Sequence, residues 1–192
     1  MSLTSTDSAR AGNAATTPVV GTCPDNLVRA VRAVVRLGLD WQATAERVVG
    51  TLLGNLPEPE ALLPELLRRG DPACYQSHLV YSEPDGSFSI AAMVWLPGQQ
   101  TVIHDHVAWC VTAVLQGHEN EEIFALADGG RVLELAARNV NQAGTVSGFA
   151  PPGDIHRVRN TGRTVAISMH VYGADISRLG TSVRREYTLP IR

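Results

Sequence analysis

From Tyr75 onward the chain reads as a series of short strands separated by turn residues, with no helical segment between them. The runs His78 to Ser82, Phe88 to Leu96, Thr101 to His106 and Cys110 to Leu115 carry the β-branched and aromatic residues that suit a pleated, half-buried surface. Turn signals recur at Pro84-Asp85-Gly86, Gly117, Asp128-Gly129-Gly130, Gly144, Pro151-Pro152-Gly153 and Thr161-Gly162. Many short strands with regular turns favour an antiparallel sandwich or barrel over a parallel sheet, which needs crossover helices. The expectation is an all-β jelly-roll barrel.

A helical layer precedes it. Leu27, Val28, Val31, Val34 and Val35 recur at three- and four-residue steps from Pro24, with Arg29, Arg32 and Arg36 elsewhere on the surface. Gly38 ends that helix, Asp40 caps a second through about Leu53, and Pro57 to Arg69 reads as a third, stopped by Gly70-Asp71-Pro72. Residues 1–22 are Ser, Thr, Ala and Gly with few large apolar side chains, and read as a flexible tail. The remainder, 23–192, reads as one domain, with helices over 24–70 and the barrel over about 75–192; 192 residues at 44% hydrophobic content supply one sizeable core.

Charge and cysteine usage narrow the function classes. A net charge of -3 with dispersed arginines provides no basic field for nucleic acid. The N-terminus lacks a charged n-region followed by an apolar h-region, and no stretch approaches the roughly 20 apolar residues of a membrane span. Cys23, Cys74 and Cys110 form no CxxC pair, which disfavours a disulfide scaffold. These features predict a soluble, cytoplasmic protein, monomeric or a small homo-oligomer, without nucleic-acid or membrane partners.

Three histidines point to a metal. His104 and His106 lie one residue apart in a strand-like run, so their side chains leave on the same face and can reach one ion. Gly98-x5-His104-x-His106-x3-Cys110-x6-Gly117 follows the first cupin motif, with Cys110 where that motif usually has Glu. Pro151-x-Gly153-x2-His156-x3-Asn160 follows the second, adding His156 as the third ligand. An isolated histidine in a strand is commonly a hydrogen-bonded surface or core residue, but two motifs in the right order carry more weight. Three ligands leave coordination positions open, which is the mark of chemistry rather than structural support. Three neutral imidazoles with no carboxylate leave a divalent ion its full charge and favour anionic ligands; imidazole suits iron, zinc, copper and nickel alike. Asp105, between two ligands, points to the opposite face and suits a salt bridge.

Ser168, His170 and Tyr172 alternate onto one strand face, where hydroxyl, imidazole and phenol can form a hydrogen-bonded row, whether catalytic or merely self-satisfying. Together with Phe88 to His106, Leu115-Gln116-Gly117 and His156-Arg157-Val158 with Asn160, the run Ser168 to Gly173 resembles the thiol dioxygenase family of cupins, of cysteine dioxygenase and 3-mercaptopropionate dioxygenase type, over about Tyr75 to Tyr172. The resemblance implies a mononuclear non-haem enzyme, with Fe(2+) on His104, His106 and His156, that adds both atoms of dioxygen to a small thiol, giving a sulfinic acid. It implies that Ser168, His170 and Tyr172 form the family's Ser-His-Tyr relay.

Cys110 resembles the cysteine that some members join to the relay tyrosine by a thioether, which makes a Cys110–Tyr172 crosslink possible; the plain alternative is a small buried filler. Tyr75 resembles a pocket tyrosine, and two residues on, where related cysteine dioxygenases place a carboxylate-binding Arg and 3-mercaptopropionate dioxygenases a Gln, stands Ser77. A carboxylate-binding Arg after the relay tyrosine leaves Arg178 and Arg185 as candidates, with Arg184 beside them. A metal cupin that is no oxygenase, whether isomerase, hydrolase or ligand-binding sensory domain, is the alternative, since fold alone does not settle function.

Overall fold

The computed structural model describes residues 23–192 and the backbone of Thr17–Pro18; the rest of the segment read as a tail lies outside the described residues. Thr17–Pro18 is a two-residue strand, β1, within that segment. Helix α1 (Asp25–Val35) buries Leu27, Val28, Val31 and Val34 along one stripe, as their spacing predicts. Helix α2 (Trp41–Leu52) starts where the Asp40 carboxylate accepts the Ala43 N–H at 2.8 Å.

The third predicted helix is two single turns, α3 (Pro59–Leu62) and α4 (Glu65–Arg68). Pro64 separates them: it has no N–H to donate, and its ring drives the preceding Leu63 to φ -129° and ψ 133°. The apolar pattern is kept only before the break, where Leu62 and Leu63 are both buried; after it Leu67 packs partly against the core and Leu66 is exposed.

Ten strands follow: β2 (Gln76–Ser82), β3 (Ser89–Trp95), β4 (Ile103–His106), β5 (Cys110–Gln116), β6 (His118–Ala127), β7 (Val132–Gln142), β8 (Val146–Phe149), β9 (His156–Arg159), β10 (Ala166–Tyr172) and, after the helical turn α5 (Ile176–Leu179), β11 (Val183–Tyr187). They form a six-stranded sheet ordered β1-β2-β3-β10-β5-β8 and a five-stranded sheet ordered β11-β4-β9-β6-β7. Every pairing is antiparallel except β1 with β2.

Alternation assigns the two faces of the first sheet. Ile90, Ala92 and Val94 of β3, Val111 and Ala113 of β5, and Ile167, Met169 and Val171 of β10 join Val31, Ala45, Val48 and Leu52 of the helices in one apolar cluster. The helical layer therefore covers the outer face of this sheet. The intervening residues, including Trp95, Cys110, Ser168, His170 and Tyr172, face the other way, between the sheets. Gly148 on β8 lets α2 approach closely, since a Cβ there would meet Val49 at 2.9 Å. Gly117, at φ 73° between β5 and β6, carries the chain from one sheet to the other; a Cβ there would meet the Ala166 backbone at 3.0 Å.

Candidate metal centre

The three candidate ligands come together on the inner face of the five-stranded sheet. His104 and His106 share a face of β4, and His104 is the direct cross-strand partner of His156 on β9. All three are buried, ring centroids are 4.7 to 5.0 Å apart, and one ligand atom from each lies within 4.8 Å of the others. This is a buried three-histidine metal-binding triad.

The far side of each ring explains how it is aimed. His104 Nδ1 donates to the Val102 carbonyl at 3.0 Å, His106 Nδ1 to Asp154 Oδ2 at 3.1 Å, and His156 Nδ1 to Glu121 Oε1 at 2.8 Å. A proton on each Nδ1 leaves each Nε2 with its lone pair, the tautomer a metal ion needs. Burial, reinforced by the charge of the neighbouring rings, pushes His104 well below the usual imidazole range, and burial brings His106 to about 4 against the pull of Asp154. Both rings are therefore neutral donors at physiological pH. The donor set fits a divalent ion such as iron(II) or zinc.

Asp154 and Glu121 were not apparent in the sequence as site residues. Burial raises both carboxyls, but bonds from His106 and from His156 respectively outweigh it and hold each below its ordinary value. The expectation of a centre without carboxylates holds only for the ligands themselves, because two ionised acids sit one hydrogen bond behind them. One signal was available: Glu119 and Glu121 alternate onto a single face of β6, and acids on an inward face are rare without a partner. The pairing of Glu121 with His156 depends on register, since Glu121 opposes Val158, two residues along β9.

The row on β10 faces the same space. The Trp95 indole donates to Ser168 Oγ at 3.2 Å, Ser168 Oγ lies 3.1 Å from His170 Nε2, and His170 Nδ1 lies 3.2 Å from Tyr172 Oη. The Tyr172 ring stacks 6.3 Å from that of His106, so the row ends against the metal ligands. Burial, helped by the charge nearby, lowers His170 to about 3, and burial raises the Tyr172 phenol well above its ordinary value. Cys110 is the cross-strand partner of Tyr172, and burial keeps its thiol protonated.

A cavity opens between these groups, lined by the three ligands, His170, Tyr172, Tyr75, Ser77, Met93, Trp95, Thr101, Val158, Ile176, Thr181, Ser182 and Val183. Tyr75 stacks on Trp95 at 4.4 Å. Thr101, an unspecified place in the first motif, and Thr181 and Ser182, outside both motifs, were missed by sequence reasoning. Arg178 and Arg185 do not line this cavity: Arg178 is exposed and pairs with Asp175, and Arg185 is exposed over the Tyr187 ring. Arg184 instead bonds Asp105 on the other face of β4, where the Tyr187 hydroxyl also donates to Asp105 at 2.8 Å.

Two sheets of a jelly roll enclosing a buried three-histidine triad define a metal-binding cupin. Residues 68–181, more than half the chain, match the family model for cysteine dioxygenase type I, and the chain belongs to that family. Its fold is similar to a Cupin 2 conserved barrel domain protein from Salinispora arenicola (20% identity over 60% of this chain and 90% of that one, TM-score 0.44). It is also similar to an oxalate oxidase solved with glycolate (20% identity, 64% of this chain and 63% of that one, TM-score 0.46). An oxalate decarboxylase from Lactobacillus farciminis aligns at 26% identity over 47% of this chain, with TM-score 0.40, and the aligned part spans 25% of that protein. No helix among the described residues is long and apolar enough to cross a membrane.

Proposed function

We propose that this protein is an iron(II)-dependent thiol dioxygenase that converts a small thiol into its sulfinic acid. The observation that carries this reading is the convergence of two inner faces. The triad of His104, His106 and His156 borders one cavity with His170 and Tyr172, the inner end of the row that Ser168 continues, so a group held by the triad lies within reach of a proton-handling phenol. Membership of the cysteine dioxygenase type I family supports the same reading. Iron(II), when bound by the three histidines, supplies the means for dioxygen to react with a thiolate sulfur.

The chain's own residues do the rest. Val102, Asp154 and Glu121 hold the ligand rings in one tautomer and one orientation. The ionised Asp154 and Glu121 balance the charge of a divalent ion, so an added thiolate is received without a large excess of positive charge. Tyr172, oriented by His170, offers a hydroxyl to the sulfur end of the substrate, and Ser77, Thr181 and Ser182 line the same space with hydroxyls. No arginine lines the cavity among the described residues, so a cysteine or a mercapto acid such as 3-mercaptopropionate would have its carboxylate held by hydroxyl donors rather than by a bidentate clamp.

The test is oxygen consumption by protein loaded anaerobically with iron(II), with L-cysteine, 3-mercaptopropionate, cysteamine and mercaptosuccinate as substrates. Metal-free protein is the control. Iron-dependent uptake with a sulfinate identified by mass supports the reading and names the thiol. Full iron occupancy with no uptake from any thiol refutes it.

A further inference from the structure

A carboxyl group lies at the far end of the relay from the cavity. Glu119 on β6 is 3% exposed, and its Oε1 has no hydrogen-bond partner within the protein. It reaches Ser168 and Trp95, whose hydrogen bonds both favour its charged form. Isolated buried carboxylates are costly, and most are paired with a cation or a full set of donors. Glu119 has neither a lysine nor an arginine, and the described catalytic row leaves it without a role.

Donor and acceptor counting gives the row a direction. The Trp95 indole can only donate, so at 3.2 Å it occupies one lone pair of Ser168 Oγ. His170 is neutral and carries one ring proton, between Ser168 on one side and Tyr172 on the other. With Glu119 ionised, the links of the row fit one direction: Tyr172 donates to His170 Nδ1, His170 Nε2–H donates to Ser168 Oγ, and the Ser168 hydroxyl donates to Glu119. With Glu119 protonated, the same three links run in reverse.

We propose that Glu119 is the proton store of this site, so that the relay runs Tyr172, His170, Ser168, Glu119 and carries the substrate thiol's proton from the cavity to a buried carboxyl. The proposal rests on the thiol dioxygenase reading. In the transfer the thiol S–H breaks and its proton goes to Tyr172 Oη. The Tyr172 proton passes to His170 Nδ1, the Nε2 proton to Ser168 Oγ, and the Ser168 proton to Glu119. The sum is thiol plus carboxylate giving thiolate plus carboxylic acid, with no electrons moved and no change in the charge of the enclosed site. Glu119 is thus a positioning and proton-holding residue that acts through Ser168.

The electrostatic surroundings fit that duty. Burial raises the Glu119 carboxyl to about 7, with the Ser168 bond opposing, the charge of Glu121 adding, and Trp95 opposing. A store at this value exchanges its proton in both directions near neutral pH. The titratable groups around it are Glu121 on its own strand and Tyr172 on β10, with His170 one hydrogen bond further on through Ser168; β3 contributes Trp95, and β7 opposes it with Asn141.

Glu119→Gln keeps the shape and an acceptor for Ser168 but takes no proton, and Glu119→Asp restores the carboxyl. Infrared titration of the metal-free wild type is expected to show a carboxylic acid C=O band with a midpoint near 7, missing from Glu119→Gln. In the iron-loaded proteins, Glu119→Gln should lose the ionisation near 7 from the pH profile of kcat/KM and lower kcat on the order of 10²-fold, with KM and iron content unchanged. Glu119→Asp should regain an ionisation. A band that titrates in the ordinary carboxylate range, or an active wild type whose pH profile Glu119→Gln leaves unaltered, overturns the proposal alone. A wild type that oxidises no thiol at full iron occupancy fails the functional reading and the proton transfer with it.

Discussion

The metal-binding residues owe their aim to the acceptors behind them. His156 without Glu121 would be free to turn or to change tautomer, because the 2.8 Å bond at Nδ1 is what keeps Nε2 bare. Glu121→Ala should therefore weaken metal binding by about 10- to 100-fold, as read in a competition titration against a chelating dye, while the fold is kept. Tyr172 acts on the other side of the cavity, where it touches no ligand acceptor. Tyr172→Phe should slow thiol oxidation on the order of 10²-fold and leave iron content unchanged; loss of iron would reassign the phenol to a structural role. Cys110 is the direct cross-strand partner of Tyr172, and a thioether between them would form by two-electron oxidation of the thiol and a ring C–H by dioxygen during turnover. Peptide mass after repeated turnover should show the two segments joined and two hydrogens lighter, and only separate peptides would rule the link out. At this scale the histidines, Ser168 and Tyr172 were legible because two-residue alternation needs no tertiary knowledge. Glu121 and Asp154 were not, because Glu121 lies outside both motifs, Asp154 fills an unspecified place in the second, and each meets its histidine only through the fold.

Among the elements, β10 and β4 carry the site for opposite reasons. All seven residues of β10 are buried, since helices cover one face and the cavity lies on the other, so its polar residues are forced to satisfy one another. Strand β4 has its ligands inside and Asp105 outside, and β11 holds that outer face through Arg184 and Tyr187. Asp105 is 1% exposed and its Oδ1 already lacks a partner, so removing a donor leaves a buried charge poorly compensated. Tyr187→Phe should cost about 1 to 3 kcal/mol, lower Tm by several degrees in a thermal scan, and loosen metal binding through β4. Element boundaries followed from the pattern where turn chemistry was explicit, as at Asp40 and Pro84-Asp85-Gly86. The third helix was misread as continuous because its leucines keep a helical spacing across Pro64, yet the proline turns Leu63 extended and leaves Leu66 beyond it exposed.

For the whole molecule, buried titratable groups make stability depend on pH from both sides. His106 and His170 stay neutral in the folded protein down to about 4 and about 3, whereas unfolded histidine protonates at 6.5. Their depressed values mean stability that is present above 6.5 and is lost as pH falls toward about 4 and about 3. Glu119 works in the opposite sense: raised from 4.5 to about 7, it contributes stability below 4.5 that is lost as pH rises through about 7. Urea denaturation of the metal-free proteins should show Glu119→Gln gaining on wild type across that window, by on the order of 3 kcal/mol at most; a constant difference would contradict the assignment. The sequence by itself determined the class of fold, the three clustered histidines and the hydrogen-bonded row on β10, because alternation and motif spacing are local properties that survive any arrangement of neighbours. Only the tertiary structure decided that two acids stand behind the ligands, that Thr181 and Ser182 line the cavity while Arg178 and Arg185 do not, and that Glu119 adjoins Ser168. These are contacts between strands far apart in the chain, and their register is set by which faces the two sheets and the helical layer bury together.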